Sequence, residues 1–181
     1  MSHRVRWIDS GGGPLILLAE ELLSSWRGIE GWRDHRDALD HSDYARACRA
    51  AENWLGLIGC GGGKALILGG EPGQVAWLPN IGRAGGALVQ WVYADNENDL
   101  LTNAVGPVVR NALNAPSIQK AELLTGPSGV MRLFDSAQSG DDIHGASQML
   151  ALEPGQYLVR AAYVKAARFA MVVREIAICR C

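Results

Sequence analysis

Leu55-Gly-Leu-Ile-Gly-Cys-Gly-Gly-Gly-Lys-Ala-Leu-Ile-Leu68, with Val75 to Leu78 and Gly86-Ala-Leu-Val-Gln-Trp-Val-Tyr-Ala94 behind it, is the stretch whose reading decides the fold. Ala65–Leu68 and Val75–Leu78 are short apolar runs bounded by Gly and Pro. Gly86–Ala94 is longer and rich in β-branched and aromatic side chains. Buried strands are the economical assignment for all three, expected to form the middle of one sheet. The glycine triplet ahead of Lys64 invites a phosphate-loop reading, which fails on three points. Ile58 stands where the loop's first glycine belongs, Ala65 stands where a magnesium-binding hydroxyl belongs, and a strand follows instead of a helix N-terminus. The dinucleotide fingerprint fails too, because Lys64 occupies the place of its third glycine. A turn with positive φ, or close backbone approach, explains the glycines better.

Outward from this centre, Arg4–Ile8 alternates polar and apolar as a half-buried strand. Asp9–Pro14 is a dense turn signal, Leu15–Leu18 is a second strand, and Glu20–Trp26 supplies a short helix ended by Gly28. Residues 27 to 42 form a polar loop. Asp43 to Leu55 carries Tyr44, Ala47, Cys48, Ala51 and Leu55 at helical spacing, with Ser42 as the cap and Gly56 as the stop. After Asp95-Asn-Glu-Asn-Asp99, a helix from Leu100, capped by Asn98, closes at Gly106, and Pro107 opens another at its first turn. Ile118–Thr125 and Val130–Phe134 flank Gly-Pro-Ser-Gly129 as a hairpin, Ser136–Ser147 is a polar loop with Asp141-Asp142, and Tyr157–Lys165 with Phe169–Ile178 makes the last strand pair. The order implies an α+β fold dominated by antiparallel strands with a few short helices, residues 1–181 forming one domain.

Composition narrows the function. A net charge of −2 and a pI near 6.1 give no basic footprint for nucleic acid. Leu15–Ala19 is too short for a signal segment or a bilayer span, so no membrane role is expected and a cytoplasmic location is the default. Cys48, Cys60, Cys179 and Cys181 lack the paired knuckles of a zinc site, and neither metal nor cofactor is expected. His3, His35, His41 and His144 all lie in polar or terminal segments, and no nucleophile elbow or His-Glu-x-x-His helix is present, so an enzyme is not the expected class. Six tryptophans, at 7, 26, 32, 54, 77 and 91, suggest a large core with one or two rings left for a partner. The physical choice for a partner surface is Trp91, Tyr93, Asp95, Glu97 and Asp99, where aromatic anchors meet a charge cluster able to steer a basic face. The competing reading is a solvated turn ahead of a helix, and Asp141-Asp142 is the next candidate.

Trp7-Ile-Asp-Ser-Gly-Gly-Gly-Pro-Leu-Ile-Leu-Leu18, Trp26-Arg-Gly28, Asp43-Tyr44 through Cys48, Leu55-Gly-Leu57, Gly61–Leu68, Trp77-Leu-Pro79 and Trp91-Val-Tyr93, taken in order and spacing, resemble the immunity protein 21 family. The likeness continues more loosely in Leu133–Ala137 and Leu152–Tyr157. The resemblance implies a bacterial immunity protein that binds and neutralises a cognate polymorphic toxin domain without catalysis. It supplies no functional residues. The alternatives are a protein- or small-ligand-binding module unrelated to toxins, and an enzyme of another class.

Overall fold

The structure, a computed structural model, describes residues 5–30, 41–70, 73–80, 85–116 and 118–179. Among the described residues eleven strands form two sheets. The first contains β1 (Trp7–Ile8), β5 (Val75–Pro79), β6 (Gly86–Ala94), β11 (Phe169–Ile178), β10 (Gln156–Lys165) and β7 (Gln119–Leu124), in that spatial order. The second contains β3 (Leu55–Cys60), β4 (Gly63–Leu68), β2 (Leu15–Ala19), β8 (Val130–Asp135) and β9 (Gln148–Ala151). Every pairing between these strands is antiparallel, as the α+β reading requires.

The sheets pack face to face, and each carries helices on its outer face. Leu15, Leu17, Leu66, Leu68, Met131 and Leu133 from one sheet meet Val75, Leu88, Tyr157, Val159 and Ile176 from the other in the central core. Outside the six-stranded sheet, α2 (Glu97–Ala104) and α3 (Pro107–Leu113) cover Val89, Met171 and Val173 with Leu100, Val109 and Leu113. Outside the five-stranded sheet, a 3-10 helix (Glu20–Ser25), Trp26 and α1 (Asp43–Ala50) cover Ile16, Leu18, Ile67 and Phe134. Burial on both faces is why β2 and the end of β4 are unbroken apolar runs rather than alternating ones. β7, at an edge, alternates: Lys120, Glu122 and Leu124 are exposed, and Leu123 is buried.

Several local expectations hold. Gly61 and Gly62, with φ of 56° and 83°, form the two-residue turn between β3 and β4, where Cys60 stands opposite Gly63. Ser42 Oγ accepts from Ala45 N at 3.1 Å and caps α1. Pro107 opens α3, and β10 and β11 pair along their whole length. The longer-range expectations need correction. β4 does not lie beside β5 and β6 but in the other sheet. β7 and β8 do not pair: Gly126–Gly129 is a crossover between sheets, closed by Gly129 N donating to Gly126 O at 3.0 Å. The turn residues set the reversal, but β10 takes the ladder of β7, and β2 and β9 take that of β8.

α1 ends at Ala50, five residues before its expected last residue, Leu55. Leu55 belongs to β3, and Gly56 is needed for close approach, since a Cβ there would stand 2.3 Å from Ala50 O. β9 had no clear signal in the sequence, its four residues lying behind the polar loop.

A charged side chain is enclosed between the sheets. Arg174 points inward from β11 with no accessible surface. Its Nε donates to Trp54 O at 2.9 Å, and Nη2 donates to Gly69 O at 2.7 Å and to Gln90 Oε1 at 2.8 Å. These bonds join β11 and β6 to the two chain ends that flank the β3–β4 hairpin. Burial pushes the guanidinium down to about 9, so it stays charged at neutral pH.

Candidate functional site

The five residues chosen from sequence lie together where β6 runs out beside the start of β11, with Ala94 opposite Phe169. Asn96, rather than Asn98, caps α2: its Oδ1 accepts from Asp99 N at 3.0 Å, and the helix begins at Glu97, earlier than expected. Trp91 is half-buried and meets Trp7 edge-on, with ring centroids 5.4 Å apart. Trp7 Nε1 in turn donates to Glu97 Oε1 at 2.7 Å. Asp99 pairs with Arg168 at 3.2 Å, which ties α2 to the β10–β11 turn. Two of the three carboxylates are therefore tied to side chains from other segments of the chain, Trp7 and Arg168.

Asp95 is the third carboxylate, and it is exposed beside Tyr93, which is 53% exposed. The Tyr93 hydroxyl donates to Asp95 Oδ1 at 3.0 Å. That hydrogen bond, followed by the charge of Asp95, raises the phenol above its ordinary range, so the ring stays neutral and keeps its donor. With exposed Val92 alongside, the strand end presents an aromatic, an aliphatic and an acidic group on a framework fixed by the Trp7–Trp91–Glu97 contacts. Such a surface suits contact with a protein better than bond chemistry.

A second feature escaped the sequence reading. A cleft of about 630 Å³ opens between the β3–β4 turn, the 3-10 helix and the C-terminal half of β7. Leu22, Leu124 and Pro127 give it apolar walls, while Lys64, Glu21 and Glu122 stand in its lining. Both carboxylates are engaged: Glu21 Oε1 accepts from Ser128 N at 2.8 Å, and Glu122 Oε2 accepts from Gln156 Nε2 at 3.1 Å. The backbone hydrogen bond from Ser128 lowers the pKa of Glu21, so it is ionised at neutral pH and poorly placed to act as a general acid. Of the paired leucines of β7 that border the cleft, Leu123 is buried and Leu124 is 64% exposed.

The remaining candidates are dispersed. Trp26 is core, with Nε1 donating to Ser136 O at 3.0 Å. Trp77 is buried, and Trp54 stacks on Tyr163 at 5.5 Å. Trp32, His3, His35 and Cys181 lie outside the described residues. Cys60 is buried, and burial raises its thiol pKa; Cys48 and Cys179 are exposed. Among the described residues no group of three or more His, Cys, Asp or Glu is placed to hold a metal. The Asp141-Asp142 loop makes exposed pairs with Arg27 and His144. No helix among the described residues is long and apolar enough to cross a membrane.

Compared with known proteins, the family model described as Immunity protein 21 matches residues 6–169. No curated protein and no solved structure matches the chain.

Proposed function

This chain belongs to the immunity protein 21 family, and on that premise we propose that it binds a cognate toxin domain of a polymorphic toxin system in the cytoplasm and blocks it, with no catalysis of its own. The family match over residues 6–169 carries this reading. The surface proposed for the toxin is the end of β6, with residue roles assigned from exposure and contacts. Tyr93 and Asp95 are the groups open to a partner, and Val92 extends their apolar contact. Trp91, Glu97 and Asp99 support them through Trp7 and Arg168. An exposed carboxylate next to an aromatic anchor suits a basic toxin face, with the charge acting mainly on the rate of encounter and the ring on the lifetime of the complex.

The test is co-expression with the toxin domain encoded beside this gene, together with titration of the two purified proteins. Growth rescue and a stable complex are expected. A toxic domain that is neither rescued nor bound would remove the reading. A ligand-binding module is the second reading, favoured by the apolar lining of the cleft near Leu22 and Leu124. It predicts that Leu22→Asp abolishes function while Tyr93→Ala leaves it unchanged.

A further inference from the structure

Strand β7 closes one side of the six-stranded sheet, and among the described residues no strand pairs with its other edge. Its hydrogen-bonding parity is fixed. Thr125 N donates to Gly155 O at 3.1 Å, in the same register that sets Leu123 opposite Tyr157 and Ala121 opposite Val159. Backbone groups alternate sides along an antiparallel strand, so Lys120, Glu122 and Leu124 turn their N–H and C=O groups to the open edge. Their side chains share the sheet face that bears α3, the face on which Ile118 packs.

An unpaired edge of this kind is a template for another strand. We infer that the occupant is a second copy of this chain, paired antiparallel to itself through β7 with Ala121 on the two-fold axis. Self-pairing registers that bring the outward groups of both copies together differ in the residue at their centre, and among centres within β7 only Ala121 sets unlike charges opposite one another. One centred on Lys120 sets Lys120 against Lys120, and one centred on Glu122 sets Glu122 against Glu122; directly opposed like charges are destabilising. Centring on Ala121 places Lys120 of each copy opposite Glu122 of the other, twice. It also sets Leu124, the most exposed large apolar side chain named among the described residues, opposite Ile118 of the second copy. The isologous contact joins two six-stranded sheets into one continuous sheet. β11 and β10 lie between β6 and β7, so the surface proposed for the toxin stays free and the inference does not depend on that proposal.

Sedimentation equilibrium over a wide concentration range tests it on the full chain. The parent is expected to dimerise. Lys120→Glu and Glu122→Lys, each of which turns two opposed pairs into like charges, should weaken the dimer roughly tenfold or more. An equimolar mixture of these two variants should recover association, because every opposed pair then has opposite signs, and the double variant Lys120→Glu/Glu122→Lys should dimerise like the parent. Both positions are exposed, and circular dichroism checks that the variants stay folded. A parent that is monomeric at all concentrations, a dimer insensitive to both reversals, or a mixture that fails to recover would overturn the inference. A monomer whose β7 amides alone respond to a blocked extended peptide would also overturn it, by giving the edge to a foreign strand.

Discussion

Replacing Arg174 with Met keeps most of the side-chain volume between the sheets and deletes the guanidinium. Three buried acceptors, Trp54 O, Gly69 O and Gln90 Oε1, then lose their charged donor. Each orphaned acceptor costs about 1–3 kcal/mol, while removing the buried charge returns several kcal/mol of desolvation energy. Gly69 N already donates to Trp54 O at 3.3 Å, so that carbonyl keeps one partner. With two acceptors left without that donor and the desolvation energy returned, the net expectation is a loss of about 1 kcal/mol, a fall in Tm of roughly 2–4 °C for a chain of this size. Urea unfolding followed by tryptophan fluorescence measures it, with the denaturant slope unchanged if the variant keeps the fold.

The pH dependence carries a sign. Burial lowers the folded-state pKa of Arg174 from its ordinary value to about 9. Below about pH 8 both states hold the proton, and the gap between parent and variant should be flat. Above about pH 9 the folded state releases the proton while the unfolded state keeps it, so the parent should gain on the variant as pH rises. A Met variant more stable than the parent at neutral pH would refute the reasoning, because it would mean that the guanidinium contributes no net stability in linking the sheets.

Gly28 has φ of 57°, and a Cβ there would stand 2.4 Å from Ala137 O, so Gly28→Ala should cost about 2 kcal/mol or more in the same urea assay. At the end of β6, Asp95→Lys should leave stability within about 0.5 kcal/mol of the parent and reduce toxin protection. Glu97→Lys, which breaks the bond to Trp7 Nε1, should lower stability as well; equal protection by the parent and Asp95→Lys in growth rescue would remove Asp95 from the interface. A chelator should leave Tm unchanged, and a large fall would point to a metal at Cys179 and Cys181. Calorimetric titration with ATP, GTP and NAD should show no specific heat, since Gly61 and Gly62 form a hairpin turn and Lys64 lies in the strand that follows; heat lost in Lys64→Ala would contradict that reading.

The sequence by itself determined the local pieces. Glycines with positive φ fixed the β3–β4 turn, Ser42 and Pro107 marked helix starts, unbroken apolar runs marked β2 and the end of β4 as covered on both faces, and the order of glycines and aliphatics carried the family. These signals act within a few residues, where propensity, capping and turn sterics operate. Which sheet each strand joins was decided only in the tertiary structure. A turn such as Gly126–Gly129 reverses the chain equally well into a hairpin or a crossover, and the choice falls to distant strands that compete for the same backbone groups. The candidate surface followed the same division. Trp91, Tyr93 and the acidic run were visible as a cluster, but only the approach of Trp7 and Arg168 separated the carboxylates that hold the framework from Asp95, which stands open beside Tyr93.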